Sequence, residues 1–73
     1  MAIFDARPLI ASGEEPFEAI MAVVAALGPD EELVVFAPFE PVPLEGVLSS
    51  QGFSYVAEPI DSNDWKVTFR EDR

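Results

Sequence analysis

The sequence predicts an α+β domain, a two-layer sandwich in which two helices cover one face of a mixed four-stranded sheet. Three patterns indicate this fold: a helical stripe of apolar residues within 14–27, an unbroken apolar run at 33–36, and strict alternation of apolar and polar residues at 65–70. The 73 residues amount to about half of a typical domain. We therefore expect a single domain over residues 1–73 with the order β-α-β-α-β-β.

The first strand and helix are predicted from the amino-terminal third of the chain. A strand over Ile3–Arg7 should end at Pro8, which cannot donate a hydrogen bond to a neighbouring strand. A helix over Glu14–Leu27 is predicted by apolar residues that recur on one helix face. Ser12 and Glu15 have the spacing of a capping box, and Gly28-Pro29 should end the helix. The apolar positions are Phe17, Ile20, Met21, Val24 and Leu27.

The remaining elements follow from apolar runs separated by proline and glycine. The apolar segment within Glu32–Phe39 does not alternate, as expected of a central strand buried on most of both faces. Pro41 and Pro43 should begin a short second helix that ends at Gly52. Strands over Phe53–Ile60 and 65–70 should form a hairpin through the turn at 61–64. Because two helices are too few to cover both faces, we expect the other sheet face to be open.

The composition excludes several classes of function. Fourteen acidic and four basic residues give a net charge of -10, which repels nucleic acid and anionic membranes. The chain has no cysteine and no histidine, so it lacks the thiolate nucleophile, the usual general base and the commonest metal ligands. An enzyme would have to use Ser12, Tyr55 or a carboxylate, and no acid has a sequence context that suggests a raised pKa. We therefore expect no enzymatic activity and no cofactor.

The location of the chain is predicted from its apolar segments. The first residues lack the basic start and apolar stretch of a secretory signal, and the longest uncharged apolar stretch, at 19–27, is too short to span a membrane. We expect a cytoplasmic protein.

The chain contains four short motifs: Asp5-Ala6-Arg7-Pro8-Leu9, Glu15-Pro16-Phe17, Pro41-Val42-Pro43-Leu44 and Gly52-Phe53. In this order, along nearly the whole chain, they resemble the motifs of an uncharacterised family, the domain of unknown function 2249 (DUF2249). That family is similar to the TusA and SirA sulfur carriers, whose β-α-β-α-β-β domains carry Cys-Pro-x-Pro at the start of the first helix.

The resemblance to sulfur carriers does not extend to the reactive residue. Pro16 matches the last proline of the carrier motif, but Glu14 stands at its first proline and Gly13 at its cysteine. A persulfide carrier requires a thiolate, so the resemblance implies the fold without sulfur transfer. It implies a role as a small adaptor or ligand-binding domain of bacteria or archaea.

Arg7, Glu14 and Glu15 are the candidate ligand-binding residues, beside the start of the first predicted helix. Arg7 could bind a small anion or pair with Asp5, which lies two residues away on the same strand face. The acids at 14, 15 and 18 could bind a divalent cation or complement the helix dipole. Both pairs of alternatives stay open from the sequence.

Val34 and Phe36 are the candidate interface residues. If Leu33, Val35 and Ala37 face the helices, Val34 and Phe36 point to the open face, where apolar side chains need a cover. A second copy, another protein, a ligand or a flanking aromatic residue could supply it. The leading hypothesis is a non-enzymatic interaction module that docks through this face or through the acidic start of the first helix; the alternative is a small-ligand or metal-binding domain.

The charge imbalance leads to a prediction about stability. Ten uncompensated negative charges on a small surface repel one another, and salt screens them with a Debye length of about 10 Å at 0.1 M. We expect sodium chloride to raise the melting temperature measured by circular dichroism. An unchanged or lower melting temperature would contradict this prediction.

Overall fold

A computed structural model describes residues 1–28, 30–61 and 63–71. In this range the chain forms a mixed four-stranded sheet with three helices. The predicted stop residue Pro29 and the turn residue Ser62 lie outside the described residues. The strands are β1 (Ala2–Asp5), β2 (Leu33–Ala37), β3 (Phe53–Pro59) and β4 (Trp65–Glu71), and the helices are α1 (Arg7–Ala11), α2 (Phe17–Ala25) and α3 (Val42–Ser50).

The sheet has the strand order β1-β2-β4-β3. β1 runs parallel to β2, whereas β4 pairs antiparallel with both β2 and β3. The predicted α+β class, the mixed sheet and the closing hairpin are therefore confirmed. β2 and β4 are the central strands, and β1 and β3 form the edges.

The core lies between the helices and one face of the sheet. Leu33 and Val35 of β2 and Val67 and Phe69 of β4 are at most 1% exposed. Their side chains form one cluster with Ile20 of α2 and with two leucines of α3. The predicted orientation of Val67 and Phe69 toward the helices is thus confirmed, and Trp65 lies half-buried at the end of the same row.

The short helix α1 was not predicted. Pro8 was interpreted as the end of a strand, but it occupies the first turn of α1, where a missing backbone N–H costs no intrahelical hydrogen bond. β1 accordingly ends at Asp5. Gly13, with φ of 82°, follows α1 and donates its N–H to the Ile10 carbonyl at 3.0 Å, which ends the helix.

The predicted capping box of α2 is wrong. Ser12 lies at the end of α1, where its hydroxyl donates to the Leu9 carbonyl at 3.0 Å. Glu15 precedes a proline, and a following proline disfavours helical geometry. α2 therefore begins only at Phe17. The Glu15 carboxylate instead accepts a hydrogen bond from the Phe17 N–H.

The end of α3 agrees with the sequence. Gly52, with φ of 91°, follows the helix and donates its N–H to the Ser49 carbonyl at 3.2 Å. The helix therefore turns directly into β3 as predicted. None of the helices in the described ranges has the length and hydropathy needed to cross a membrane.

Candidate functional site

An apolar cavity opens at the carboxyl ends of the parallel strands β1 and β2. It lies between the starts of α2 and α3 and has a volume of about 120 Å³. Pro16, Phe17 and Ile20 form the α2 wall, and Pro41, Pro43 and Leu44 form the α3 wall. The carboxyl ends of parallel strands are a common position for binding sites in open sheets, because the chain diverges there into loops.

The cavity has one exposed apolar side chain at its margin and one ionisable side chain in its wall. Phe39 is 50% exposed, and Glu15 is the acid among the lining residues. Engineered apolar cavities of about 150 Å³ bind benzene, so this cavity suits one small apolar group.

The candidate residues Glu14 and Glu15 lie beside this cavity in the segment before α2. Glu15 accepts the Phe17 N–H, and Glu14 accepts a hydrogen bond from the Ser12 hydroxyl at 3.0 Å. Glu18 is exposed in the first turn of α2. These positions complement the positive end of the helix dipole. Among residues 1–28, 30–61 and 63–71, no group of three or more acids is arranged to hold a metal ion.

Arg7, the third candidate ligand-binding residue, forms hydrogen bonds with two aspartates. Its guanidinium donates two hydrogen bonds of 2.9 Å to the Asp5 carboxylate and one of 2.9 Å to Asp64. The guanidinium carbon lies 5.4 Å from the centre of the Phe36 ring. Phe36 pairs with Asp5 and Lys66 on the face opposite the core. The structure thus forms the predicted Asp5–Arg7 ion pair and places it on the other face from the cavity.

The Arg7 network gives a prediction that ordinary titration can test. The hydrogen bond from the Arg7 side chain lowers the pKa of Asp5. As the pH falls, the Asp5 carboxyl therefore takes up a proton in the unfolded chain before it does so in the folded chain. The stabilisation of the folded chain by the Asp5–Arg7 pair is present above about pH 4 and is lost in more acidic solution. We expect Arg7→Gln to return the pKa of Asp5 toward its ordinary value, measured by carboxyl ¹³C NMR. The matched control Arg70→Gln should leave it unchanged; an unchanged Asp5 in Arg7→Gln would contradict the network.

The candidate interface residues Val34 and Phe36 point to the open face, as the alternation predicts. Within the chain Val34 is buried, whereas Phe36 is partly buried. Val34 is only 4% exposed between its strand neighbours Ile3 and Thr68, and the Arg7 guanidinium lies over Phe36. The long side chain of Arg7 thus provides part of the cover of Phe36 from within the chain. The apolar groups left exposed here are Ile3 and Val56, at 64% and 60%.

The charges divide between the two sides of the molecule. The basic side chains in the described part of the chain, Arg7, Lys66 and Arg70, all belong to the open sheet face by their register or contacts. Of the acids at 14, 15 and 18, Glu15 lines the cavity, and the other two are its exposed neighbours along the chain. The neighbourhood of the cavity is therefore negative, whereas the open face has mixed charge.

Glu45 of α3 is an unusual residue that the sequence analysis missed. It is 3% exposed, and its Oε2 atom has no hydrogen-bond partner within the described ranges. Burial raises the pKa of Glu45 to about 7. The Glu40 carboxyl adds to the increase through a hydrogen bond and its charge, whereas the Tyr55 side chain opposes it. The expectation that no acid has a raised pKa is therefore wrong.

A sequence signal for the burial of Glu45 did exist. Pro41, Leu44, Glu45 and Leu48 have the spacing i, i+3, i+4, i+7 of an inward helix face, and all four are buried. We name Glu40, Glu45 and Tyr55 the Glu45 cluster.

Comparisons with known proteins place this fold in a family. A solved structure titled "Solution structure of HP1264 from Helicobacter pylori" is similar to the chain with a TM-score of 0.70 and 20% identity, over 100% of both chains. At this identity the likeness concerns the fold alone. A search of curated proteins found no match. The similarity to the TusA and SirA carriers stays a prediction.

The family model described as "Uncharacterized conserved protein (DUF2249)" matches residues 3–71. This range includes all the described helices and strands except Ala2, the first residue of β1. The chain therefore belongs to the DUF2249 family.

Proposed function

We propose that this chain is a non-enzymatic protein-interaction module that binds its partner over the apolar cavity beside α2. The observation that carries the proposal is the cavity of about 120 Å³, which opens next to an exposed aromatic ring, Phe39. A concave apolar site of this size accepts one apolar side chain of a partner, which would act as the anchor of the interface.

The charge around the cavity defines the rest of the partner. Glu15 lines the cavity, and Glu14 and Glu18 are exposed one and three residues from it along the chain. A partner segment with lysine or arginine around its apolar anchor would be attracted, whereas an acidic segment would be repelled. The proposed partner is therefore a basic segment with one central apolar residue.

The absence of catalysis is part of the proposal. The chain has neither histidine nor cysteine. The one acid in the cavity wall, Glu15, is engaged with the Phe17 N–H, so it is occupied by a structural hydrogen bond. The arrangement serves binding better than bond-making chemistry.

A second candidate function is the binding of a small apolar molecule in the same cavity. The enclosure between α2 and α3 favours it, since apolar molecules gain affinity when most of their surface is buried. The two candidates differ in their dependence on charge, which an experiment can separate.

The experiment is an NMR titration of the ¹⁵N-labelled chain with three blocked pentapeptides and with indole. The peptides are Lys-Lys-Leu-Lys-Lys, its alanine analogue Lys-Lys-Ala-Lys-Lys, and its acidic analogue Glu-Glu-Leu-Glu-Glu. We expect the basic leucine peptide to shift the amides of the cavity-lining residues most strongly. Equal shifts with the alanine or acidic peptide would contradict the proposal, and shifts with indole alone would favour the second candidate.

Two matched variants locate the binding surface. Phe39→Ser changes an exposed ring at the cavity margin, and Val56→Ser changes a comparably exposed side chain on the open sheet face. We expect Phe39→Ser to weaken peptide binding several-fold and Val56→Ser to leave it unchanged. The reverse result would assign docking to the open face.

A further inference from the structure

The Glu45 cluster and the cavity share helix α3. Leu44, Pro41 and Pro43 line the cavity, and Glu45 is the next residue after Leu44 in the helix. Any movement of α3 that exposes the Glu45 carboxyl therefore also moves one wall of the cavity. The two sites are mechanically connected through a single turn of helix.

Among the residues that the structure describes, none provides a counter-ion to Glu45. Glu40, in the connection before α3, and Tyr55, on β3, are the ionisable groups that act on it. Toward the helices β4 presents Trp65, Val67 and Phe69, which do not ionise, and Glu71 at its exposed end. The inward residues of α2 are apolar, with Ile20 in the shared core. Within the described ranges, the groups that act on the Glu45 carboxyl are thus another acid and a tyrosine, and no cation is among them.

We propose that Glu45 makes the docking of α3 depend on pH and that α3 thereby regulates access to the cavity. With a proton on the Glu45 carboxyl, the buried group is neutral and α3 packs against β3. Loss of that proton leaves an unpaired negative charge in the core. The population of a second state, in which α3 has moved outward and water hydrates the carboxylate, therefore increases. The first step stands on the geometry of Glu45 alone, and the second rests on the proposed function.

Hydrogen exchange of the α3 amides tests the first step without any ligand. After correction for the intrinsic rate of exchange, we expect the opening equilibrium of α3 to increase roughly fifty-fold between pH 5 and pH 8, because opening releases one proton. In Glu45→Gln, which mimics the protonated group, the opening equilibrium should not change with pH. A wild-type α3 whose corrected protection is equal at both pH values would overturn the proposal.

The control variant is Glu18→Gln, which removes an exposed acid from α2. It should retain the full pH dependence of α3 exchange. If it lost that dependence as Glu45→Gln does, general charge repulsion would explain the effect and the assignment to Glu45 would be wrong.

The second step is tested with the Lys-Lys-Leu-Lys-Lys peptide and with indole. We expect the affinity of whichever probe binds the wild-type chain to change with pH and to be independent of pH in Glu45→Gln. Binding that is equally pH-dependent in both proteins overturns the coupling. If neither probe binds while α3 exchange changes as expected, the proposed function and its regulation fail, and the pH-dependent docking of α3 stands.

Discussion

Phe69→Ala is expected to lower the free energy of unfolding by about 3–5 kcal/mol, the usual effect of removing a fully buried ring. Phe69 is 0% exposed in the central strand β4, and its ring lies 5.9 Å from that of Tyr55. Removing the ring loses the transfer free energy of its atoms and leaves a cavity where the sheet meets the helices. A small domain has only about 5–15 kcal/mol of total stability, so this single change removes a large part of it.

The measurement is urea unfolding followed by far-ultraviolet circular dichroism. The matched control is Phe39→Ala, at a residue that is 50% exposed beside the cavity. We expect the control to cost less than about 1 kcal/mol, since much of its ring is already in water. Equal losses in the two variants would contradict the assignment of the core to the inner face of β4.

The buried side of the sheet could be predicted because strand alternation is a local property. Lys66, Thr68 and Arg70 alternate with Trp65, Val67 and Phe69, and only the second set can be removed from water at low cost. The same pattern placed Val34 and Phe36 on the opposite face. The sequence did not reveal that Arg7 covers Phe36, because that contact depends on how the chain turns after β1.

The start of the first long helix was predicted too early for a physical reason. Ser12 and Glu15 have capping-box spacing, but Pro16 disfavours helical geometry at Glu15, and Pro8 is compatible with a separate short helix before it. Spacing alone does not distinguish these arrangements. The candidate residues Glu14 and Glu15 consequently lie in the connection between two helices instead of in the first turn of one.

The cavity and the Glu45 cluster arise from contacts between distant segments. The cavity needs Ala6, Phe17 and Leu44 to converge, and no local pattern encodes that meeting. Glu45 had a helical spacing that favours burial, but a charged residue in an inward position is ordinarily interpreted as solvent-exposed. Its burial follows from the way α3 crosses β3, which only the tertiary structure shows.

Glu45→Gln is expected to raise the free energy of unfolding by about 3 kcal/mol at pH 8 and to have little effect near pH 4. The pKa of Glu45 rises from 4.5 to about 7 on folding because its carboxyl is buried. Between these values the folded state holds a proton that the unfolded state has released, so the wild-type chain loses stability as the pH rises from about 4.5 to 7. Above about pH 7 the loss of stability caused by Glu45 is complete and no longer changes with pH.

The test compares urea unfolding of the wild type, Glu45→Gln and Glu18→Gln from pH 4 to pH 9 in constant salt. General repulsion among the acids of a chain with net charge -10 destabilises all three proteins as the pH rises, so the difference between the first two isolates Glu45. We expect that difference to grow by about 1.4 kcal/mol per pH unit within the window and to level off above it. A constant difference across the whole range would contradict the raised pKa of Glu45, because the folded chain would then bind the proton of this carboxyl no more tightly than the unfolded chain does.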